Sequence, residues 1–475
     1  MDCTCTHCGI EDKDVVSSTP LPSTLTDILQ NKTNQRKEHG LLRSILLQDQ
    51  NKDQNKDQNK DQNQDQNQDQ NKDQESILIP PLADFSSNDY LGLSHSTALL
   101  SSVHQALVHS TSLQLPLSDA SPQIGSTGSR LLSGNSTQAA MLESQLVSHY
   151  TNNTPSNGKS SRALLFNSGY DANLTLFSAI PQSDCLVLYD ELIHASVHDG
   201  LALRRFGAVA SFRHNSVEDV RDKVECFFAK DNVSSCSSTT ASTKCVIVAV
   251  EAIYSMDGDM APLLELANLA RAYPGRVNLI VDEAHSTGMM GNRGAGLVSY
   301  LGIEDAVFAR LHTFGKGMGV HGAVVIGPPE LVQFLVNFGR PLIYSTMMSF
   351  HSLITIRASH DYMSTHWKSL QENLHTRIVL FRRLMSQIPS GARLLDSKTA
   401  IQGIVLPGND NVNRLARILI SQGQRVLAIR FPTVPRGTER VRICLHVHNT
   451  HEEIVCLARE CQAALMLVLK GSARL

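Results

Sequence analysis

The sequence predicts an α/β fold in which a large domain, built on a mainly parallel sheet covered by helices, precedes a smaller α+β domain. Helical and strand patterns alternate from Ala139 to Gly327, which is typical of helices that connect parallel strands. Beyond Pro341 the pattern changes to a long helical region, Ser349 to Ile388, followed by shorter mixed elements and a helix from His451 to Lys470. The 475 residues exceed one ordinary domain, and 41% of them are hydrophobic, enough for a sizeable core.

The strands of the large domain are short apolar runs separated by helical patterns. We expect them at Ala163–Phe166, Cys185–Tyr189, Ala208–Phe212, Cys245–Val250, Val277–Val281 and Ala323–Ile326. The expected divisions of the chain are a disordered extension (1–24), an N-terminal segment (25–95) with a disordered insert (48–75), the large domain (96–345), the small domain (346–470) and a tail (471–475).

The N-terminal part of the chain is polar apart from one amphipathic helix, which we expect from Leu25 to Leu47. From Gln48 to Glu75 the chain repeats Asn-Lys-Asp-Gln and Asn-Gln-Asp-Gln without an apolar residue, so this insert cannot bury surface. Three thiols and one imidazole lie close together in sequence near the N-terminus, at Cys3, Cys5, His7 and Cys8. We assign no metal there, because structural zinc sites usually draw their ligands from two separated knuckles.

Charge and cysteine usage exclude several classes of partner. A net charge of −3 and a pI near 6.7 argue against nucleic acid or an anionic membrane surface as a partner. No apolar run is long enough to span a bilayer, and the first residues lack the pattern of a secretory signal. Ten cysteines scattered along a long chain indicate a reducing, intracellular compartment.

Three stretches carry the residues of a candidate site. Lys316 lies between glycines in Thr313–Gly319, and such a lysine becomes a carbonyl-condensing nucleophile when burial lowers its pKa. Asp282 follows a buried strand, at the strand end where open α/β sheets bind ligands, and an aspartate can pair with a pyridinium nitrogen. Asn167–Asp171 forms a strand-to-helix turn whose free N–H groups suit a phosphate. Together they supply what pyridoxal 5′-phosphate (PLP) requires.

With these motifs in place, the chain resembles the α-oxoamine synthases, PLP enzymes of transferase fold type I, the aspartate-aminotransferase fold. The shared motifs are Asn88–Leu93, Ser255–Asp259, Asp282–Gly288 and Thr313–Gly319. The runs Leu342–Thr346 and Ala428–Thr438 favour the branch that condenses L-alanine with a pimeloyl thioester in biotin synthesis. Glycine-using, serine-using and polyketide-releasing branches stay open, as does a non-catalytic regulatory subunit on the same fold. The thiol carrier, coenzyme A or acyl carrier protein, also stays open.

The resemblance implies a role for each matching residue. Lys316 would bind the cofactor covalently and, with Asp282, His285 and His194, carry catalysis. Asp282 would pair with the ring nitrogen, His285 with the phenolic oxygen, and His194 would stack on the ring. The remaining implied contacts are Gly169, Tyr170 and Thr313 to the phosphate, Ser255 to the cofactor, Arg442 to the amino-acid carboxylate, Thr433 and Arg43 to the acyl substrate, and Asn88 to substrate.

The sequence departs from the family pattern at two places. Met347–Phe350 stands where the family tends to have prolines, and His321 stands where we expect a small residue near the lysine loop. Either change could reshape the thioester entrance.

Two further expectations concern assembly and location. In this fold cofactor sites form between two subunits, so the resemblance implies a homodimer. The final Ala473-Arg474-Leu475 resembles a peroxisomal address read by an import receptor, which favours the peroxisome over the cytosol.

Overall fold

The computed structural model describes residues 25–38, 82–112, 124–151, 160–229 and 244–472. The chain divides into two units, Met1–Leu78 and Ile79–Leu475. In the first unit, helix α1 (Leu25–Glu38) covers the first part of the predicted N-terminal helix, and its Leu25 and Leu29 are exposed. The cysteine and histidine cluster, Arg43, the polar insert and the final tripeptide lie outside the described residues.

The second unit alternates helices and strands before it ends in a helical region, as the sequence predicts. Its helices are α2 Thr97–Ser112, α3 Thr137–Thr151, α4 Gly169–Ala179, α5 Ala195–Leu203, α6 Val217–Ala229, α7 Leu263–Ala272, α8 Leu297–Leu301, α9 Pro329–Phe338, α10 Arg340–Tyr344, α11 Phe350–Leu384, α12 Asn409–Ser421 and α13 His451–Ser472. Its strands are β1 Ala83–Asp84, β2 Arg162–Phe166, β3 Cys185–Asp190, β4 Ala208–Phe212, β5 Cys245–Glu251, β6 Val277–Asp282, β7 Val307–Thr313, β8 Ala323–Gly327, β9 Arg393–Leu394, β10 Ile401–Val405, β11 Gln424–Arg425, β12 Leu427–Ile429 and β13 Arg440–Cys444. No helix among the described residues is long and apolar enough to cross a membrane.

The large sheet has seven strands in the order β2-β8-β7-β6-β5-β3-β4, and β8 alone runs antiparallel to its neighbours. Successive residues of β6 alternate between two buried clusters: Leu279 and Val281 pack in one and Ile280 in the other. Helices therefore cover both faces, which is the usual reason for a nearly continuous apolar strand. The predicted mainly parallel sheet is confirmed.

One strand of this sheet, β7 (Val307–Thr313), was not predicted from the sequence. Its Arg310 and His312 broke the apolar pattern, yet they are only 4% and 0% exposed. Arg310 donates to the carbonyl of Tyr150 at 2.9 Å, and His312 Nδ1 lies 2.9 Å from Thr287 Oγ1. Neighbouring residues thus pair with Arg310 Nη1 and His312 Nδ1, although His312 Nε2 has no partner among the described residues. These contacts allow the strand to be central despite its composition.

The smaller sheet follows the long helix α11, whose N-cap Ser349 accepts a hydrogen bond from the Ser352 amide. It is antiparallel, with strand order β12-β13-β10-β9. The segment after β1 runs beside it, because Phe85 O accepts from Cys444 N and Tyr90 O accepts from Val447 N. These bonds place Asn88 and Tyr90, from the start of the second unit, beside strand β13, which comes near the end of that unit in sequence.

Candidate active site

A cavity of about 280 Å³ lies at the carboxyl ends of the large-sheet strands. Loops that follow β2, β3, β6 and β7 supply its wall, as the strand-end rule predicts. Of the predicted site residues, the wall contains Asn88, Gly169, Tyr170, His194, Asp282, His285, Thr313 and Lys316. The fold thus brings together residues that are far apart in sequence.

Lys316 lies in a tight turn between β7 and β8. Phe314 N donates to Gly322 O at 2.9 Å, Val320 N to Phe314 O at 2.8 Å, and Gly319 N to Lys316 O at 2.9 Å. The amine reaches into the cavity, where Nζ is 2.8 Å from His285 Nε2. Desolvation lowers the pKa of Lys316 more than the nearby Asp282 and Glu251 raise it. A lysine with a lowered pKa is the form that condenses with an aldehyde.

Asp282 ends strand β6 and is 8% exposed. Its Oδ1 accepts from Ala284 N at 2.9 Å, and its Oδ2 accepts from Asn173 Nδ2 at 2.8 Å. These two donors hold the carboxylate facing the cavity. Asn173, one turn into α4, was missed in the sequence, although the helix periodicity places it on the side of Gly169.

The start of helix α4 forms an anion cradle. Ser168 is the N-cap, and its Oγ accepts from Asp171 N at 3.1 Å. The amides of Gly169 and Tyr170 precede that bonded amide and line the cavity, where the helix dipole favours negative charge. Thr313 Oγ1, also in the wall, is buried without a hydrogen-bond partner among the described residues. An unsatisfied hydroxyl beside free amides fits a phosphate.

Gly169 is required at this position because a Cβ there would lie 2.3 Å from Thr313 Cγ2. We expect Gly169→Ala to push the helix start away from Thr313. Overpacking of this size costs about 1–3 kcal/mol, so the dissociation constant for PLP should rise about ten- to a hundredfold. Cofactor titration measures this. Gly125→Ala, which meets no atom within 4 Å, is the control, and equal PLP affinities in the two variants would contradict the cradle.

A hydrogen-bonded chain connects Lys316 to Arg442. His285 Nδ1 is 2.7 Å from Tyr90 Oη, Tyr90 Oη donates to Asn88 Oδ1 at 3.0 Å, and Arg442 Nη2 donates to the same Asn88 oxygen at 2.8 Å. Burial, reinforced by the cations Lys316 and Arg442, holds the pKa of His285 well below its ordinary value, so its ring is neutral. Tyr90 was not predicted as a site residue.

His194 lies in the wall as the N-cap of α5. Its Nδ1 accepts from Ser196 N at 3.2 Å and lies 2.8 Å from Ser196 Oγ, which in turn accepts from Asn173 Nδ2 at 3.0 Å. Burial lowers the pKa of His194. Since Asn173 also holds Asp282, one amide side chain orients both predicted cofactor contacts.

Glu251 is a cavity residue that the sequence analysis missed. It ends β5 in register with Asp282, is 3% exposed, and has a buried Oε1 without a partner among the described residues. Burial and, to a lesser extent, the charge of Asp282 raise the pKa of Glu251 to about 8. Hydrogen bonds from the backbone amides of His194 and Ser255 oppose this rise. Ser255 itself is outside the cavity wall and meets the site through Glu251. The end of a predicted strand was the signal that could have found Glu251.

Two predicted substrate contacts are not placed in the cavity wall. Thr433 lies exposed in the turn that precedes β13. Arg442 is 5% exposed and lies behind Asn88, which is in the wall. Arg43 lies outside the described residues. The roles of Thr433 and Arg43 toward an acyl chain stay predictions.

Behind the cavity, His214 joins two loops that carry site residues. Its Nδ1 is 2.8 Å from Asp190, at the start of the His194 turn, and its Nε2 is 2.8 Å from Asp259, in the loop of Ser255. Burial alone would lower the pKa of His214, but the two carboxylates raise it from 6.5 to about 9.

His214 should therefore give the fold a pH-dependent stability. Because the folded-state pKa is raised, the stabilisation is complete below pH 6.5 and is lost as the pH rises through 9. With allowance for solvent screening we expect about 2 kcal/mol. The gap in unfolding free energy between wild type and His214→Ala, from urea unfolding, should narrow by this amount between pH 6 and pH 10. A gap that does not change with pH would show that His214 is neutral between Asp190 and Asp259.

Comparison with known proteins decides the family. The aminotransferase class I and II family matches residues 80–459. The chain is 38% identical over 405 residues to the 8-amino-7-oxononanoate synthase of Emericella nidulans, covering 84% of this chain and 93% of that protein. This chain belongs to the aminotransferase class I and II family and, within it, to the α-oxoamine synthases.

Two other relatives mark the breadth of the family. The aminoacyl transferase sphA of Aspergillus fumigatus is 30% identical over 393 residues, 78% of each chain. A solved structure described as SPT with a PLP internal aldimine superposes with a TM-score of 0.67 at 25% identity, covering 81% of this chain and 87% of that one. The predicted transferase fold type I is confirmed. The α-oxoamine synthase described here is an enzyme, a PLP-dependent acyltransferase.

Proposed function

We propose that this α-oxoamine synthase condenses L-alanine with a pimeloyl thioester, such as pimeloyl-coenzyme A. The products are 8-amino-7-oxononanoate, carbon dioxide and the free thiol. The choice of alanine draws support from the identity to the Emericella nidulans synthase, which exceeds that to the aminoacyl transferase. This assignment places the protein in biotin biosynthesis.

The buried guanidinium of Arg442 carries the proposal. It is 5% exposed, and in the part of the chain that the structure describes its Nε has no hydrogen-bond partner and no carboxylate forms an ion pair with it. A buried cation without a counterion is costly, and an amino-acid carboxylate would supply one in bidentate geometry. The Asn88 amide links this guanidinium to the cavity of Lys316.

The cavity residues fit PLP and divide its recognition among them. The phosphate would lie against Gly169, Tyr170 and Thr313, the ring nitrogen against Asp282, the phenolic oxygen against His285, the ring face against His194, and the aldehyde carbon against Lys316. When bound, PLP supplies an electron sink for a carbanion at the amino-acid α-carbon. The negative charge of Asp282 would keep the ring nitrogen protonated.

The protein's own part in the chemistry is binding and proton transfer. Arg442 would hold the carboxylate of alanine, and the Lys316 amine would remove the α-proton. After the α-carbon has attacked the acyl carbonyl and expelled the thiol, and carbon dioxide has left the α-carbon, the same amine would return a proton to the α-carbon. The lowered pKa of Lys316 suits this role, because it favours the neutral amine that can remove a proton. Holding both substrates together contributes much of the acceleration.

Arg442→Lys should separate substrate binding from chemistry. Lysine keeps the positive charge but loses the planar fork, and a charge-assisted hydrogen bond contributes about 1.5–3 kcal/mol. We expect KM for L-alanine to rise roughly thirtyfold with KM for the thioester unchanged, measured by thiol release. A rise in the thioester KM alone would place Arg442 in the acyl site instead.

The amino-acid preference tests the proposal directly. Purified holoenzyme is assayed for thiol release with pimeloyl-coenzyme A and L-alanine, glycine or L-serine. One methyl group in a fitted pocket is worth about 10–200-fold in kcat/KM, so alanine should exceed glycine by at least tenfold. Preference for glycine or serine would keep the family and reject the alanine assignment.

A serine-using or polyketide-releasing synthase is the second candidate. The two departures from the family pattern, His321 and Met347–Phe350, lie close together in the structure. His321 is in the cavity wall. Its neighbour Gly322 packs near Met348, since a Cβ added to Gly322 would lie 3.3 Å from Met348 Cε. The likeness to the aminoacyl transferase and to SPT supports the same candidate. Faster thiol release from palmitoyl-coenzyme A than from pimeloyl-coenzyme A would favour it.

The enzyme also acts as a homodimer in this proposal. Exposed apolar side chains flank the cavity: Tyr170 is in its wall, Leu131 and Leu132 lie in the loop that hydrogen-bonds Met347, and Tyr344 is 72% exposed. Such patches mark interaction surfaces. Light scattering during gel filtration should give twice the 52.0 kDa chain mass; a monomer with full activity would contradict this.

A peroxisomal location is the last part of the proposal, and it depends on Ala473-Arg474-Leu475 as a receptor-read address. A chain with an N-terminal fluorescent tag should enter peroxisomes and return to the cytosol when these three residues are deleted. Unchanged distribution after deletion would reject the address.

A further inference from the structure

Two cysteines face each other on neighbouring strands far from Lys316. Cys185 begins β3 and Cys245 begins β5, and the two residues are register partners in a parallel pair. Their Sγ atoms are 2.7 Å apart. Non-bonded heavy atoms rest at about 3.5–4.0 Å, so the sulfurs are already closer than ordinary packing places them.

The backbone at this pair permits a covalent bond between the sulfurs. Neighbouring strands lie about 4.7–4.9 Å apart, inside the range of about 4.4–6.8 Å that disulfides span between Cα atoms. Register partners in a parallel pair direct their side chains to the same face of the sheet. A disulfide therefore needs a change of side-chain torsion and no strand movement.

The pair is positioned where a small oxidant can reach it without entering the active site. Both cysteines are at the amino ends of their strands, and the cavity is at the carboxyl ends. Cys185 is 7% exposed, and Cys245 is partly exposed. The other ends of β3 and β5 lead to His194 and Glu251, so a link here would join two strands that carry site residues.

We propose that Cys185 and Cys245 form a reversible oxidation site at which hydrogen peroxide produces a cross-strand disulfide. One thiolate attacks a peroxide oxygen, which breaks the O–O bond, releases water and leaves a sulfenic acid. The second thiol attacks that sulfur, and the hydroxyl leaves as a second water. In sum, two thiols lose two electrons and two protons, and one peroxide becomes two waters.

The two thiols share a hydrogen bond in which either sulfur can be the donor. This bond lowers the pKa of Cys185, which burial opposes. One cysteine of the pair supplies the thiolate that attacks peroxide, and the other is the resolving thiol. The partly exposed side of Cys245 gives a reductant access to the finished bond, which makes the modification reversible.

Peptide mapping of the full-length holoenzyme tests the proposal. After peroxide treatment, free thiols are blocked with N-ethylmaleimide before denaturation, and the protein is digested with trypsin. Cys185 and Cys245 fall alone in the tryptic peptides 163–204 and 245–271. We expect one species with the summed mass of these peptides less two hydrogens, and its loss after treatment with dithiothreitol.

Three variants make the test specific. Cys185→Ser and Cys245→Ser should each abolish the linked species, whereas Cys226→Ser, which removes an exposed cysteine elsewhere, should leave it unchanged. Oxidised wild type should also unfold at a higher temperature than oxidised Cys245→Ser, because the bond constrains the unfolded chain. The proposal fails if Cys226 is oxidised while peptides 163–204 and 245–271 stay separate, or if each cysteine gains two oxygens without a cross-link.

Discussion

Lys316→Ala should lose PLP during gel filtration and turn over at least about a thousandfold more slowly than wild type. The amine is held in the cavity by the turn between β7 and β8, and no other lysine is in the cavity wall among the described residues. Removing it takes away both the covalent attachment point and the base.

Two further variants separate these roles. Lys316→Arg keeps the charge beside Asp282 and Glu251 but cannot condense with an aldehyde, so it should be as inactive as the alanine variant. Lys368→Ala removes an exposed lysine on α11 and should retain both cofactor and activity. Turnover of Lys316→Arg within tenfold of wild type would exclude Lys316 as the covalent and proton-transferring group.

Asp282→Asn should reduce turnover by about a hundredfold or more, because it removes the charge that keeps the ring nitrogen protonated. The substitution is nearly isosteric. The amide keeps one oxygen, but its NH₂ group must face either Ala284 N or Asn173 Nδ2, both of which are donors. A modest loss of stability therefore accompanies the loss of electron-sink chemistry, and thermal unfolding measures it separately from kcat.

Asp305→Asn provides the control for that variant. Asp305 pairs with Arg271 on the surface, so its substitution removes one carboxylate without touching the cavity. We expect PLP binding and kcat near wild type for Asp305→Asn. If Asp282→Asn keeps kcat within threefold of wild type, Asp282 does not tune the cofactor.

Strand-end reasoning found part of the cavity from sequence. Asp282 and the Asn167–Asp171 turn lie at the ends of predicted strands, and parallel strands bring their carboxyl ends to one edge. Lys316 was predicted from its glycine-flanked motif, because the strand before it was not predicted. Glu251 follows the same rule, but its predicted strand ended one residue early. Strand β7 was hidden because Arg310 and His312 are polar residues in a fully buried strand, and only tertiary partners explain that.

The periodicity of the sequence predicts helices and strands, but it does not predict which distant residues come into contact. Arg442 and Asn88 are 354 positions apart, and their bond depends on the segment after β1 running beside the small sheet. Tyr90 enters the site by the same route; it lies in the shared motif Asn88–Leu93, but no role was predicted for it. Motif resemblance named Arg442 and Asn88, whereas the hydrogen-bond chain through Tyr90 to His285 emerges only from the fold.

The fate of the alanine carboxyl carbon tests the central claim most directly. Holoenzyme is given L-alanine labelled with ¹³C at C1, together with pimeloyl-coenzyme A, and the gas and the product are examined by mass spectrometry. Decarboxylative condensation predicts one labelled carbon dioxide for each thiol released and no label in the product. Label retained in an acylated amino acid, or thiol release without labelled carbon dioxide, would contradict the proposed reaction.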